Sequence, residues 1–456
     1  MATWGEFDPQ WEGRQTPEWF RDAKLGIFIH WGVFSVPGWA PPSKSFSGHD
    51  DPDWDWNDWF RNNPYAEWYE NTLNIEGSPT ARYHREHYGD APYQAFATDF
   101  AEAVKGWDPF PWAKLFRRAG ARYVIPTTKH HDGYCLWPTG VDNPFTPNWH
   151  SERDLIGELA TAVRAEGMRF GTYYSGGLDW SWNPGAIRSQ EDVHRTFRQD
   201  GAFIAYVDTQ WRELIDRYQT DVLWNDIGAP ANQDINALFH EFFLKVPDGV
   251  VDNRFVQRDG AGNVTARPPY DYSTPEYQTE SNISAVPFEA CRGIGLSFGY
   301  NRRETEAEFI PIPELIHHFA DVVSKNGNLL LNVGPMADGA IQEEQVARLE
   351  ALGSWLDING EAIYGSRPWA RAEGTTFNRE PVRFTRKGDA LYAIVLAEAA
   401  SGENGIEGIT LPDGGSAQVL GANEAGAFRN TDRGVAFILS GDLPTGPAYT
   451  IEIATR

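Results

Sequence analysis

Apolar and polar residues follow two rhythms along this chain, and the change from one to the other divides it. Up to about residue 360, runs of strand length alternate with stretches whose apolar positions recur every third or fourth residue, the period of a helix with one buried face. Residues 24–31, KLGIFIHW, are too short for a helix, with Gly26 near their start and Gly32 just after, which predicts a buried parallel strand ending at His30. Residues 112–119 read as a helix stopped by Gly120, and RYVIPTT, residues 122–128, as the strand that delivers KHHDG. Asp154 caps a helix carrying Leu155, Ile156, Leu159, Ala160 and Val163, and MRFGTYY is the strand after Gly167. Val207, Trp211, Leu214, Ile215 and Tyr218 mark a helix that leads into TDVLWND, a short apolar strand stopping at Asp226. A helix with Ile235, Leu238, Phe239 and Phe242 precedes the strand GVVDNRF; a helix with Leu315, Ile316, Phe319, Val322 and Val323 precedes LLLNVG; residues 343–357 form a last helix.

Strands followed by helices about eight times over predict an α/β fold of the (β/α)8-like TIM-barrel type. An open doubly wound sheet is the runner-up, weakened because no GxGxxG follows the first strand. Three stretches interrupt the rhythm: about ninety residues after Trp31, a polar insertion or lid at residues 181–198, and residues 256–290. After Tyr364 the period shortens to alternation in PVRFTR, ALYAIVL, GITLP, AQVLG, VAFILS and AYTIEIA, punctuated by turns such as residues 387–389 and 412–415. The expected division is therefore a barrel domain over residues 1–365 and an accessory C-terminal all-β sandwich domain over residues 366–456.

Composition narrows the partners. A net charge of −25 argues against a nucleic-acid backbone or an anionic membrane surface. Two cysteines, Cys135 and Cys291, make no disulfide framework and too few ligands for a Cys-based zinc site. The N-terminus has neither the basic start nor the apolar core of a secretory signal and no run suits a membrane helix, so a cytoplasmic location is expected. Homo-oligomerisation stays open. Of 19 Trp, eleven fall at or before Trp112, in loop-like sequence, which suggests an aromatic wall over a site.

In a barrel, side chains at the C-terminal strand ends build the site, which singles out His30, His130, His131, Tyr173, Asp226 and Arg254. Taken singly, Asp226 reads as a turn or cap residue and each His as a satisfied core residue. Taken together they fit two chemistries: three His and a carboxylate on a divalent metal, or a polar grip on a sugar whose glycosidic bond two carboxylates cleave. Adjacent His130 and His131 would point to opposite faces of a strand, which counts against joint ligation, and the aromatic wall favours the sugar. Glu276, Glu280 and Glu289, in an irregular stretch, are the further carboxylates.

The segments KLGIFIHWGVFSVPGW, TKHHDGYCLW, TDVLWND, SFGYN, SKNGNLLLNVGPMADG and NGEAIYGSRPW, in this order over residues 15–370, resemble signature segments of the glycoside hydrolase family 29 α-L-fucosidases. The resemblance implies a (β/α)8-like domain that hydrolyses terminal α-L-fucosides by a retaining double displacement, with no metal or other cofactor. It makes Asp226 the nucleophile and Glu276, in STPEY after DNRF, the acid/base, with Glu289 in FEACRG as competitor. Their carboxyl groups would lie about 5 Å apart. By the same resemblance His30, Glu67, Trp68, His130, His131, Tyr173, Trp224, Arg254 and Phe298 hold the sugar, while Lys24, Trp31 and Asn332 are structural. The C-terminal 90 residues share only the sandwich architecture. The rival functions are a non-catalytic fucose-binding barrel and a metal-dependent sugar isomerase or hydrolase.

Overall fold

A computed structural model describes residues 3–49, 51–412, 415–422 and 427–454. Seven parallel strands run in chain order as β1 (Leu25–Ile29), β2 (Tyr123–Lys129), β3 (Arg169–Ser175), β4 (Val222–Asp226), β5 (Val250–Val251), β6 (Phe288–Gly293) and β7 (Gly327–Val333), and lie side by side in the order β5-β4-β3-β2-β1-β7-β6. The eighth place, between β5 and β6, is taken by an irregular segment. Tyr272 bridges to Asp252 and Ser273 to Phe288, both in parallel sense, and Glu276 bridges to Cys291. These bridges close the barrel, and the segment that closes it carries Glu276.

Alternation along the strands sorts side chains to the two faces of this barrel. Leu25, Ile27, Ile29, Val124, Tyr174, Leu223, Leu329 and Leu331 belong to the core between strands and outer helices. Phe28, Tyr123, Ile125, Tyr173, Val222, Trp224, Cys291 and Leu330 belong to the core inside the barrel. Gly26 is an inward position whose missing side chain admits the Tyr123 ring, since a Cβ there would lie 2.4 Å from it. Continuing the inward series one step beyond the packed layers brings His30, Asp226 and Asn332 to one end. The outer helices include Leu155–Ala165, Gly201–Tyr218 and Ile235–Lys245, whose N-cap residues Asp154, Asp200 and Asp234 each accept a backbone N–H. Each such cap contributes about 1 kcal/mol.

Several expectations change. The long stretch after Trp31 contains helices at Trp56–Arg61, Tyr69–Leu73, Pro79–Tyr88 and Phe96–Ala103. Ser78 caps the third of these, with Pro79 in its first turn. GVVDNRF holds only the two-residue strand β5, because Asp252 turns the chain by accepting the Arg254 N–H at 3.1 Å. FEACRG, inside a stretch without pattern, is β6.

Beyond Tyr364 lie two antiparallel sheets. The first orders Arg367–Thr375, Pro381–Lys387, Ala390–Val395, Tyr449–Ala454 and Ser416–Val419; the second orders Gly402–Glu407, Gly434–Leu439 and Ala427–Asn430. They enclose a core that includes Phe384, Val395, Ile406, Phe437 and Ile451. GITLP is not a strand: Gly408, at φ 66°, ends the strand that precedes it. Strands Arg367–Thr375, Gly402–Glu407 and Ala427–Asn430 had no counterpart in the sequence pattern, and Asp413 and Gly414 of the expected 412–415 turn lie outside the described residues.

Candidate active site

The strand ends open on a cavity of about 210 Å³. That is smaller than the roughly 300–1,000 Å³ of pockets for drug-sized ligands, and it suits one small ring. All eleven residues singled out as site residues line it: Asp226, Glu276, His30, Glu67, Trp68, His130, His131, Tyr173, Trp224, Arg254 and Phe298.

Asp226 ends β4 with its side chain 11% exposed. Its Oδ2 accepts the Tyr173 hydroxyl at 2.8 Å, and its Oδ1 accepts Arg254 Nη1 at 2.8 Å and the Ile227 N–H at 2.9 Å. Burial alone would raise its pKa, but the Arg254 charge and these donors outweigh it and hold the carboxyl below the usual range. Two left-handed residues follow, Ile227 at φ 57° and Gly228 at φ 84°. For a β-branched residue this conformation is strained, by about 1–3 kcal/mol. Asn225 Nδ2 secures the turn by donating to the carbonyls of Gly228 and Arg254, each at 2.9 Å.

Glu276 stands nearer the opening, 21% exposed. Its Oε1 accepts the Tyr65 hydroxyl at 2.9 Å and its Oε2 accepts Arg254 Nη2 at 3.3 Å. Burial pushes its pKa up and the Asp226 charge adds to this, against the pull of Arg254. Arg254 thus holds both carboxylates with the two ends of one guanidinium, while its Nε donates to Thr274 at 2.8 Å and its plane lies over the Trp224 ring at 4.6 Å. Glu289 is elsewhere. It is fully buried beneath the cavity, accepting Tyr123 Oη at 2.6 Å and Trp224 Nε1 at 2.8 Å, and burial lifts it to about 7.

Neighbours fix the histidine tautomers. Asn332 gives its N–H to the Phe298 carbonyl at 2.7 Å, so its oxygen accepts His30 Nδ1–H at 2.7 Å and leaves Nε2 as a bare acceptor. Ser175 gives its proton to the Leu178 carbonyl and accepts His131 Nδ1–H at 2.6 Å, which leaves His131 Nε2 bare, 3.7 Å from Asp226 Oδ2. Burial brings His30 down to about 3 and His131 to about 4, so both rings are neutral at physiological pH. The His130 ring stacks on Tyr173 at 5.7 Å. Both His130 and His131 reach the cavity because β2 ends at Lys129, ahead of them, and strand alternation no longer separates them. Glu67 accepts the Gly299 N–H at 2.8 Å and Ser297 Oγ at 3.1 Å, and burial pushes it up to about 7. Among the described residues no group of three or more His, Cys, Asp or Glu is set to share a metal ion. Likewise, no helix there is long and apolar enough to cross a membrane.

The sequence reading missed Tyr65, which touches Glu276, and the roles of Asn332 and Ser175. The only signal for Tyr65 was its place beside Glu67 and Trp68 in NPYAEWY.

A closed parallel barrel with two part-buried carboxylates on a ring-sized cavity is the site of a glycoside hydrolase. The chain belongs to the α-L-fucosidase family, whose model matches residues 2–361. It is similar in structure to the Thermotoga maritima α-fucosidase solved in complex with a mechanism-based inhibitor, with a TM-score of 0.86 and 40% identity over 99% of each chain. It is 34% identical to the tissue α-L-fucosidase of Bos taurus over 401 residues, covering 86% of this chain and 77% of that one. It is 33% identical to the tissue α-L-fucosidase of Homo sapiens over 420 residues, covering 89% and 81%.

Proposed function

We propose that this glycoside hydrolase removes terminal α-L-fucosyl residues with retention of configuration, with Asp226 as nucleophile and Glu276 as acid/base. The observation that carries this reading is that the two carboxyls share one guanidinium yet are driven apart in pKa, Asp226 downward and Glu276 upward. Such a split assigns the ionised partner to attack and the protonated one to donate. In the first step Glu276 gives its proton to the glycosidic oxygen while Asp226 bonds to the anomeric carbon. The aglycone leaves as an alcohol and a fucosyl ester remains. In the second step Glu276, now a carboxylate, takes a proton from water, the water oxygen bonds to the anomeric carbon, and Asp226 is released. Oδ2, with Tyr173 as its one neutral donor, is the less encumbered oxygen for attack.

The binding roles follow from the same geometry. His30 and His131 offer bare nitrogens to sugar hydroxyls, and Glu67 adds carboxyl oxygens. Trp68, Phe298 and Phe28 cover apolar faces of the ring. Burial of Glu289 under Trp224, with both oxygens occupied, supports Glu276 over its competitor. A terminal fucoside suits a cavity that holds one ring.

Incubation with a 2-deoxy-2-fluoro-fucosyl fluoride and peptide mass spectrometry should find the label on Asp226; a label on any other residue sinks the assignment. Glu276→Ala should keep activity on substrates with activated leaving groups and be rescued by azide. Rescue of Glu289→Ala instead would move the acid role there.

A further inference from the structure

Among the lining residues outside the sugar-holding set, two groups reach the surface at the rim of the one-ring cavity, so that a second ring would stand beyond its volume. One is aromatic, with Phe46, Trp56 and Trp59; the other is Gln190 and Val193, from the short helix Gln190–Arg195. The position of the acid says what they face. A proton donor must touch the glycosidic oxygen, so the leaving group lies on the donor's side of the sugar. Tyr65 donates to Glu276, and its ring meets Trp59 edge-on at 5.5 Å and Phe46 at 6.4 Å. Trp56 continues the wall, 5.9 Å from Trp59 and 6.1 Å from Phe46. The wall therefore starts at the acid and runs outward. Along it exposure grows, from buried Trp59 to half-buried Trp56 and half-buried Phe46, one face of which stacks on His49 at 4.3 Å.

We infer that Phe46 and Trp56, with Gln190 and Val193, form a subsite for the leaving group, built for a pyranose ring joined through the scissile oxygen. This rests on the fucosidase reading above. Aromatic rings take the apolar face of a pyranose, and an amide beside an aliphatic side chain adds one hydrogen-bonding group to an otherwise apolar slot. Trp56 and Gln190 are then specificity-determining residues that act on the aglycone and leave the fucose pocket as it is.

The test compares two substrates that share the fucosyl group: a fucosyl disaccharide and α-L-fucosyl fluoride, whose leaving group is a single atom. Trp56→Ala should lower kcat/KM on the disaccharide by about tenfold or more, against about twofold on the fluoride. Trp56→Phe should restore most of the loss, and competitive inhibition by free fucose should stay put. Equal losses on both substrates, with weakened inhibition by fucose, would show that the wall shapes the fucose pocket and would overturn the proposal. So would an unchanged rate on the disaccharide. A wild-type protein inert on the fluoride would bring down the fucosidase reading itself, and this subsite with it.

Discussion

Arg254 is the residue on which the site's electrostatics turn, because it touches both carboxylates and lies against Trp224. Its charge pulls both pKa values down. In the proposed mechanism Asp226 is ionised and Glu276 protonated, so activity is expected to fall as pH drops through the first pKa and as it rises through the second. Arg254→Met should therefore move both limbs of the kcat/KM profile to higher pH and lower its maximum by roughly 10²-fold. A profile that falls in height without moving would mean that Arg254 acts through geometry alone. At this scale the sequence was most legible where a polar side chain ends an apolar run, as His30 and Asp226 do. It was mute where a group works through a distant partner: His30 and Asn332 are 302 positions apart, and nothing in either segment names the other. Ile227 was illegible too, since no residue type announces a left-handed β-branched position.

At the scale of elements, buried strands with continuous apolar runs were readable, and those broken by charge were not. β6 escaped because Glu289 and Arg292 interrupt it, yet Glu289 is satisfied by Tyr123 and Trp224 and fits inside the barrel. The eighth place in the barrel was unreadable for a different reason: it is held by scattered bridges and has no periodic pattern. Behind His130 and His131, Lys129 and Asp179 form an ion pair of 2.7 Å with both side chains fully buried. Removing one partner strands the other charge, at a cost of about 3–5 kcal/mol, whereas replacing both with apolar groups is far milder. Asp179→Asn should thus lower stability in urea by that amount, and the pair Lys129→Met with Asp179→Leu should recover most of it. A double variant as unstable as the single one would refute this account of the pair.

Across the whole molecule, the C-terminal sheets are tied to the barrel by polar contacts. Arg383 and Lys325 share Asp321 and Glu373, and Trp355 donates to the Ala448 carbonyl at 2.8 Å. Buried acids give the molecule a pH signature. Burial holds Glu67 and Glu289 up at about 7 and Glu304 at about 8, well above the roughly 4.3 of an unfolded chain. Their stabilising contribution is complete below the unfolded value and is lost as pH rises through the folded values. Buried His30 and His131 oppose this only below about 6.5, where the unfolded rings gain protons. Lys24, brought down to about 7 by burial, opposes it above that pH, where Glu67 and Glu289 have largely titrated and Glu304 still titrates. The urea midpoint should accordingly fall between about pH 6.5 and about pH 7.5, and fall less in Glu304→Gln. A midpoint that rises over this interval would contradict the sign. The small cavity also dictates an order of events. With its floor closed by Phe28 and Trp224, fucose can leave only by the mouth through which it came, and the departing alcohol stands in that mouth. The alcohol must go first and fucose last, so the enzyme takes one terminal residue per encounter and must let go of its product before it can begin again.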